Sequence, residues 1–256
     1  MNDPHVEALY YNVEHDVHID YSSTGTFKKD LPDFSIIIED RRVTVILKKH
    51  FGSTDEAQTF VKPYLDLWEL HLALQYGPRS LEFKYERSDL IDRSPTPGNY
   101  VIVADTGNFG VTFHPVNFIL SLQDFPPPPT DIALNPTVEL MYARYLLYRN
   151  GRTTLADAAY YCLTALELEV GRRAQAAEHF AISGRVLGKM GELAEKKGGK
   201  EARKAKGREN DFAPVERQWL EQAMVIFIRR AAEIAYDPKA MHEQISMASL
   251  PSLPTT

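Results

Sequence analysis

A chain of 256 residues, 44% hydrophobic and 25% charged, has the composition of one large or two modest globular domains. Its apolar runs all fall short of the roughly 18 residues a membrane helix needs. The acidic, polar start MNDPHVEALYYNVEHD lacks both parts of a secretory leader, so a cytosolic location is expected. The net charge of −6 hides an asymmetry: residues 1–130 hold 11 Lys and Arg against 19 Asp and Glu, whereas 131–238 hold 17 against 15.

The first half reads as strands around one helix. Residues 6–13 (VEALYYNV) form a candidate strand, and FSIIIED (34–40) with RRVTVILKKHF (41–51) reads as an antiparallel hairpin turning between Glu39 and Arg42. Ser53 and Glu56 make a capping box ahead of apolar residues at helical spacing, Phe60, Leu67, Leu70 and Leu74, until Gly77-Pro78 stops the helix. Pro63 is expected to kink that helix or restart it. Three more strands follow in SLEFKYERSDLI from 80, NYVIVADT from 99 and FGVTFHPVNFIL from 109. The expectation for 1–123 is an acidic α+β domain, a mostly antiparallel sheet with one long helix packed on it.

Four consecutive prolines in DFPPPPTD favour stiff polyproline II geometry, so 124–134 reads as a rigid linker. Beyond it the pattern is helical. Asn135-Pro136 opens a helix closed by Gly151, and Thr153 or Thr154 caps a second that ends at Gly171. A third runs from about Arg172 to Ala181, Ser183 caps a fourth, and Pro214 opens a fifth that stops before Pro238. These five predict a bundle-like domain over 135–238. Residues 239–256 read as an extended tail whose spaced Ile245, Met247, Leu250 and Leu253 suit docking on the body.

Several chemistries are absent from the sequence. It has no phosphate-cradling glycine loop, no G-x-S-x-G elbow and no H-E-x-x-H, and its single cysteine, Cys162, permits neither a disulfide nor a cysteine zinc site. No cofactor is expected, and Cys162 is expected to pack as a small hydrophobe. His15, Asp16, His18 and Asp20 resemble a metal cluster by composition. On a strand, however, His18 and Asp20 share one face and His15 the other, so a polar edge or loop is expected and no metal.

The strongest electrostatic feature is 185–208, with nine basic residues against three acidic ones. RAQAAEHFA, IS and GRVLGKMGELAEKKG have the proportions of a helix-turn-helix, with Val186, Leu187, Met190 and Leu193 facing inward. Arg185 and Lys189, at i and i+4, then point outward together, and Lys196, Lys197, Lys200, Arg203 and Lys204 extend the basic surface with phosphate contacts. The expectation is a non-enzymatic regulatory or interaction protein whose helical domain contacts nucleic acid or an acidic protein partner. A purely structural adaptor is the plainer alternative, and a homodimer is expected if the acidic half holds the basic stretch of a second copy.

One further pattern carries catalytic chemistry. Arg173 and His179 have five intervening residues, and Arg172 and His179 have six. With the helical outline, this spacing resembles the helical ribonucleases of the HEPN class. That resemblance implies metal-independent RNA cleavage, as in a defence or toxin system, with arginine stabilising developing charge and histidine moving a proton.

Overall fold

In the computed structural model, which describes residues 3–16, 18–94, 120–199 and 210–253, the chain is α+β and falls into two compact units, 1–129 and 130–256. The first holds β1 (Pro4–Glu14), β2 (Ile19–Asp20), β3 (Phe27–Asp30), β4 (Phe34–Glu39), β5 (Arg42–Leu47), α1 (Thr54–Tyr76), β6 (Glu82–Asp92) and β7 (Leu120–Ser121). Five strands form an antiparallel sheet in the order β3-β4-β5-β1-β6. Alternation sets its two faces: Leu9, Tyr11, Val13, Ile36, Ile38, Val43 and Val45 are buried in the core against α1, while Tyr10, Ile37, Thr44 and Ile46 point the other way.

The β4–β5 hairpin closes through Asp40 and Arg41, both at positive φ (48° and 64°), with Glu39 paired to Arg42. This two-residue primed turn matches the twist of the strands, but its second position favours glycine. Helix α1 starts at Ser53, whose Oγ accepts from the Glu56 N–H at 3.3 Å, and stops where Gly77, at φ 103°, donates to the Ala73 carbonyl. Pro63 lies inside it as one continuous helix. The strand expected at 99–106 and most of that at 109–120 lie outside the described residues; the end of the latter, β7, pairs parallel with β2.

Trp68 is the centre of this core. It is fully buried, ringed by Phe27, Tyr64, Phe83 and Phe125 at centroid distances of 5.2 to 6.3 Å, and its indole N–H donates to the Pro126 carbonyl at 3.0 Å. The proline-rich stretch is therefore not a free spacer at its start: Phe125 is a core residue, and a buried indole needs the acceptor that Pro126 supplies. Across the unit, Glu69 on α1 accepts from the Phe83 N–H on β6 at 2.6 Å. Burial, with Asp66 and Glu82 nearby, pushes its carboxyl up to about 7 although that hydrogen bond holds it down.

The second unit contains α2 (Pro136–Arg149), α3 (Leu155–Val170), α4 (Arg173–His179), α5 (Gly184–Lys196), α6 (Pro214–Tyr236) and a 3-10 turn at Met247–Ser249. Side-chain caps fix three starts: Asn135 accepts from the Val138 N–H, Thr154 from the Asp157 N–H and Ser183 from the Val186 N–H. The apolar α3 packs against all four other helices, burying Leu155, Ala158, Ala159, Leu163 and Leu166. Cys162 lies among them, and burial pushes its thiol up to about 12, the behaviour of an inert core residue.

Two outcomes follow for the first unit. Arg41→Gly relieves a left-handed side chain and should stabilise the protein by about 1 kcal/mol, read as a higher urea midpoint with an unchanged slope. The raised Glu69 pKa means the folded state holds a proton that the unfolded state has released. Its stabilising contribution is therefore full below about 4.5 and lost as pH rises through about 7. Glu69→Gln should abolish that loss, so that the urea midpoint of the variant gains on the wild type as pH rises across this window. Parallel pH profiles for the two proteins would contradict the assignment.

Candidate nucleic-acid or partner interface

Helix α4 ends in a sharp turn. Phe180 is the last near-helical residue, Ala181 takes a left-handed φ of 48°, and the Ile182 and Ala181 N–H groups donate back to the Ala177 and Glu178 carbonyls. This is a Schellman closure with alanine where glycine is usual, which is why α4 stops short of the span expected to reach Ala181. Ile182 is fully buried and Ser183 then caps α5.

The tail seals this turn. Ile245 forms a parallel bridge with Ile182, its N–H donating to the Ala181 carbonyl and its own carbonyl accepting from Ser183, both at 2.8 Å. Ile245 and Leu250 are buried, so the described part of 239–256 is docked on the body rather than free. Beneath it lies Arg230, only 9% exposed, whose guanidinium donates to the carbonyls of Phe180, Ala181 and Glu243 and to the Glu233 carboxylate.

With its inner residues Val186, Leu187, Met190, Leu193 and Ala194 buried, α5 presents an outer strip of Gly184, Arg185, Gly188, Lys189, Glu192 and Lys196. Arg185 and Lys189 do share this strip. Arg185 is exposed and has no acidic partner among the described residues. Lys189 and Lys196 instead converge on one carboxylate, Glu192, at 3.2 and 3.4 Å, and these two ammonium groups hold that carboxyl below its usual range. Lys197 meets Glu216 of α6 at 3.3 Å. The described part of the surface is thus far less basic than the local sequence count suggests, because Glu216 comes from elsewhere in the chain. Lys200, Arg203 and Lys204 lie outside the described residues.

Gly184 and Gly188 leave open space where a side chain would stand. Gly191, on the inner face, does not: a Cβ there would meet Leu163 at 3.3 Å and the Arg173 guanidinium at 3.4 Å. Packing accounts for Gly191 but for neither outer glycine.

The Arg/His residues lie at the two ends of α4. Arg172 is the extended residue before α4, Arg173 begins it and pairs with Glu167 at 2.6 Å, and His179 ends it edge-on to Phe180. Six helical steps separate Arg173 from His179 by about 9 Å along the axis and about 120° around it. Of the acidic and histidine residues offered as a metal cluster, His15 has its Nδ1 3.0 Å from the Asp16 carbonyl, and Asp20, at the end of β2, accepts from the Ser22 N–H and hydroxyl at 2.8 Å. Among the described residues, no group of three or more His, Cys, Asp or Glu side chains is placed to hold a metal ion. On the open face of the sheet, Arg87 stacks 3.6 Å above Tyr10 and pairs with Asp89, which also accepts from the Tyr10 hydroxyl, so that cluster satisfies itself.

Comparison with protein-family models, with curated proteins and with solved structures returned no match. No helix among the described residues is long and apolar enough to cross a membrane.

The α5 surface depends on its support. Arg230→Met should take the guanidinium donor from the Phe180 and Glu243 carbonyls, while the Ala181 carbonyl keeps the Ile245 N–H, and should cost about 3–5 kcal/mol. The thermal midpoint should fall, and the chain should become sensitive to limited proteolysis around residue 243. A variant as stable as the wild type would show that the tail is held by Ile245 and Leu250 alone.

Proposed function

We propose that this chain is a non-enzymatic interaction protein whose helical unit contacts nucleic acid through the outer strip of α5 and the basic segment after it. One observation carries the reading: Arg185, exposed and without an acidic partner among the described residues, stands one turn from Lys189 on a strip where the adjoining Gly184 and the intervening Gly188 carry no side chain. Glycine in an exposed helix interior costs about 1 kcal/mol relative to alanine. At Gly188 no neighbouring atom requires it, and a smooth helix face lets a phosphate backbone approach closely enough for both cations to reach it.

The pairing of Lys189 and Lys196 with Glu192 bears on strength rather than on the mode of contact. Phosphates must displace that carboxylate, so each lysine contributes less than a free cation would, and Arg185 carries the largest share within α5. Such binding is independent of base sequence and weakens as salt rises.

Fluorescence anisotropy with a generic DNA duplex and a single-stranded RNA, across a salt series, tests this. Arg185→Glu should weaken binding and reduce the slope of log affinity against log salt by about 0.9 for duplex DNA. Gly188→Leu should raise the thermal midpoint, because leucine favours the helix, and yet weaken binding by blocking close approach. If both variants bind with the wild-type affinity and slope, α5 is not a nucleic-acid contact, and an acidic protein partner becomes the better account of the same strip.

A further inference from the structure

A second surface of the helical unit, distinct from α5, carries its own signature. The neighbouring helices α2 and α3 bring two stripes together: Thr137, Leu140 and Arg144 at i, i+3 and i+7 on α2, and Tyr161, Thr164 and Leu168 at i, i+3 and i+7 on α3, with the buried Ala165 forming the floor between them. Leu140 is 53% exposed and Leu168 78%, both unusual for large apolar side chains. Two adjoining hollows of about 300 and 270 Å³ share Tyr161 and Thr164; the first holds Arg144, and Leu140, Leu168 and Glu169 border the second.

The charges at the two ends are opposite, and neither has an ion-pair partner among the described residues. Arg144 lies half-buried 4.4 Å above the Tyr161 ring, with no carboxylate partner among the described residues. Glu169 is exposed and meets no cation among the described residues. Along α3, Tyr161 and Leu168 are separated by seven residues, about 10.5 Å, with Thr164 and Ala165 midway.

From this spacing we infer that the α2–α3 face binds a second copy of the same chain across a two-fold axis passing between Thr164 and Ala165. The axis maps the level of Tyr161 onto that of Leu168, so the second copy's Leu168 covers the Tyr161 ring and the second copy's Glu169 meets Arg144. The same two contacts recur on the other side, as an isologous interface demands. The short side chains of Thr164 and Ala165 at the axis allow the helices to approach, and the two Leu140 side chains flank it. The result is a four-helix layer closed by two symmetric ion pairs, each of which has its cation stacked on an aromatic ring.

Sedimentation equilibrium of the full chain reads the outcome. The wild type should be a dimer. Leu168→Glu should raise the dissociation constant more than about a hundredfold, since two leucines lose their burial. Glu169→Arg should raise it roughly tenfold, and Arg144→Glu combined with Glu169→Arg should restore it by exchanging the charges. Leu168 and Glu169 are exposed, so neither single change threatens the fold, and circular dichroism confirms that each variant is folded. A monomeric wild type overturns the inference, as does a dimer indifferent to Leu168→Glu and Glu169→Arg. If the charge exchange fails in a folded double variant, this two-fold register is overturned.

Discussion

A buried guanidinium holds the helical unit in its observed form. Arg230 reaches from α6 to the carbonyls that end α4, to the following left-handed residue and to the incoming tail, and Glu233 balances its charge. Removing a cation from water costs several kcal/mol unless every donor is satisfied, and here backbone acceptors from separate parts of the chain do that. The turn at 180–183 therefore exists in one geometry, and α5 leaves it in one direction. The fixed display of Arg185 and Lys189 depends on this arrangement, because a strip of cations on a loosely attached helix would present no defined surface.

Local rules account for much of the fold. The β4–β5 hairpin was legible because Ile36, Ile37, Ile38, Val43, Thr44 and Val45 are β-branched and only two residues lie between the paired strands. Ser53, Asn135, Thr154 and Ser183 announced their helices because a cap acts on N–H groups two or three residues away. The α+β division, an antiparallel sheet with α1 followed by α2 to α6, follows from the same periodicities.

Interactions between distant residues were not legible. A count over 185–208 cannot include Glu216, which neutralises Lys197 from the start of another helix. The resemblance drawn from Arg173, His179 and the helical outline came from spacing, which gives the two ends of α4 but says nothing of what each end meets, such as Glu167 beside Arg173. Phe125 and Pro126 read as spacer residues because proline composition says nothing about an indole needing an acceptor. The stripe from Thr137 to Arg144 was present in the sequence at helical spacing, but only the exposure of Leu140 and Leu168 distinguishes it from an ordinary core face.

The bridge between Ile182 and Ile245 also bears on how the unit acquires its fold. During synthesis, α3, α4 and α5 emerge well before the tail residue Ile245 that closes the turn between the last two, and before the α6 arginine beneath it. Until then the left-handed Ala181 is held only by the local closure onto Ala177 and Glu178, without the Ile245 and Arg230 contacts. The pairing is a late, high-contact-order step, and its loop-closure entropy is offset only when Ile245 and Leu250 bury together. A nascent chain halted before residue 245 would thus carry all of α5's charges without the orientation that makes them a surface.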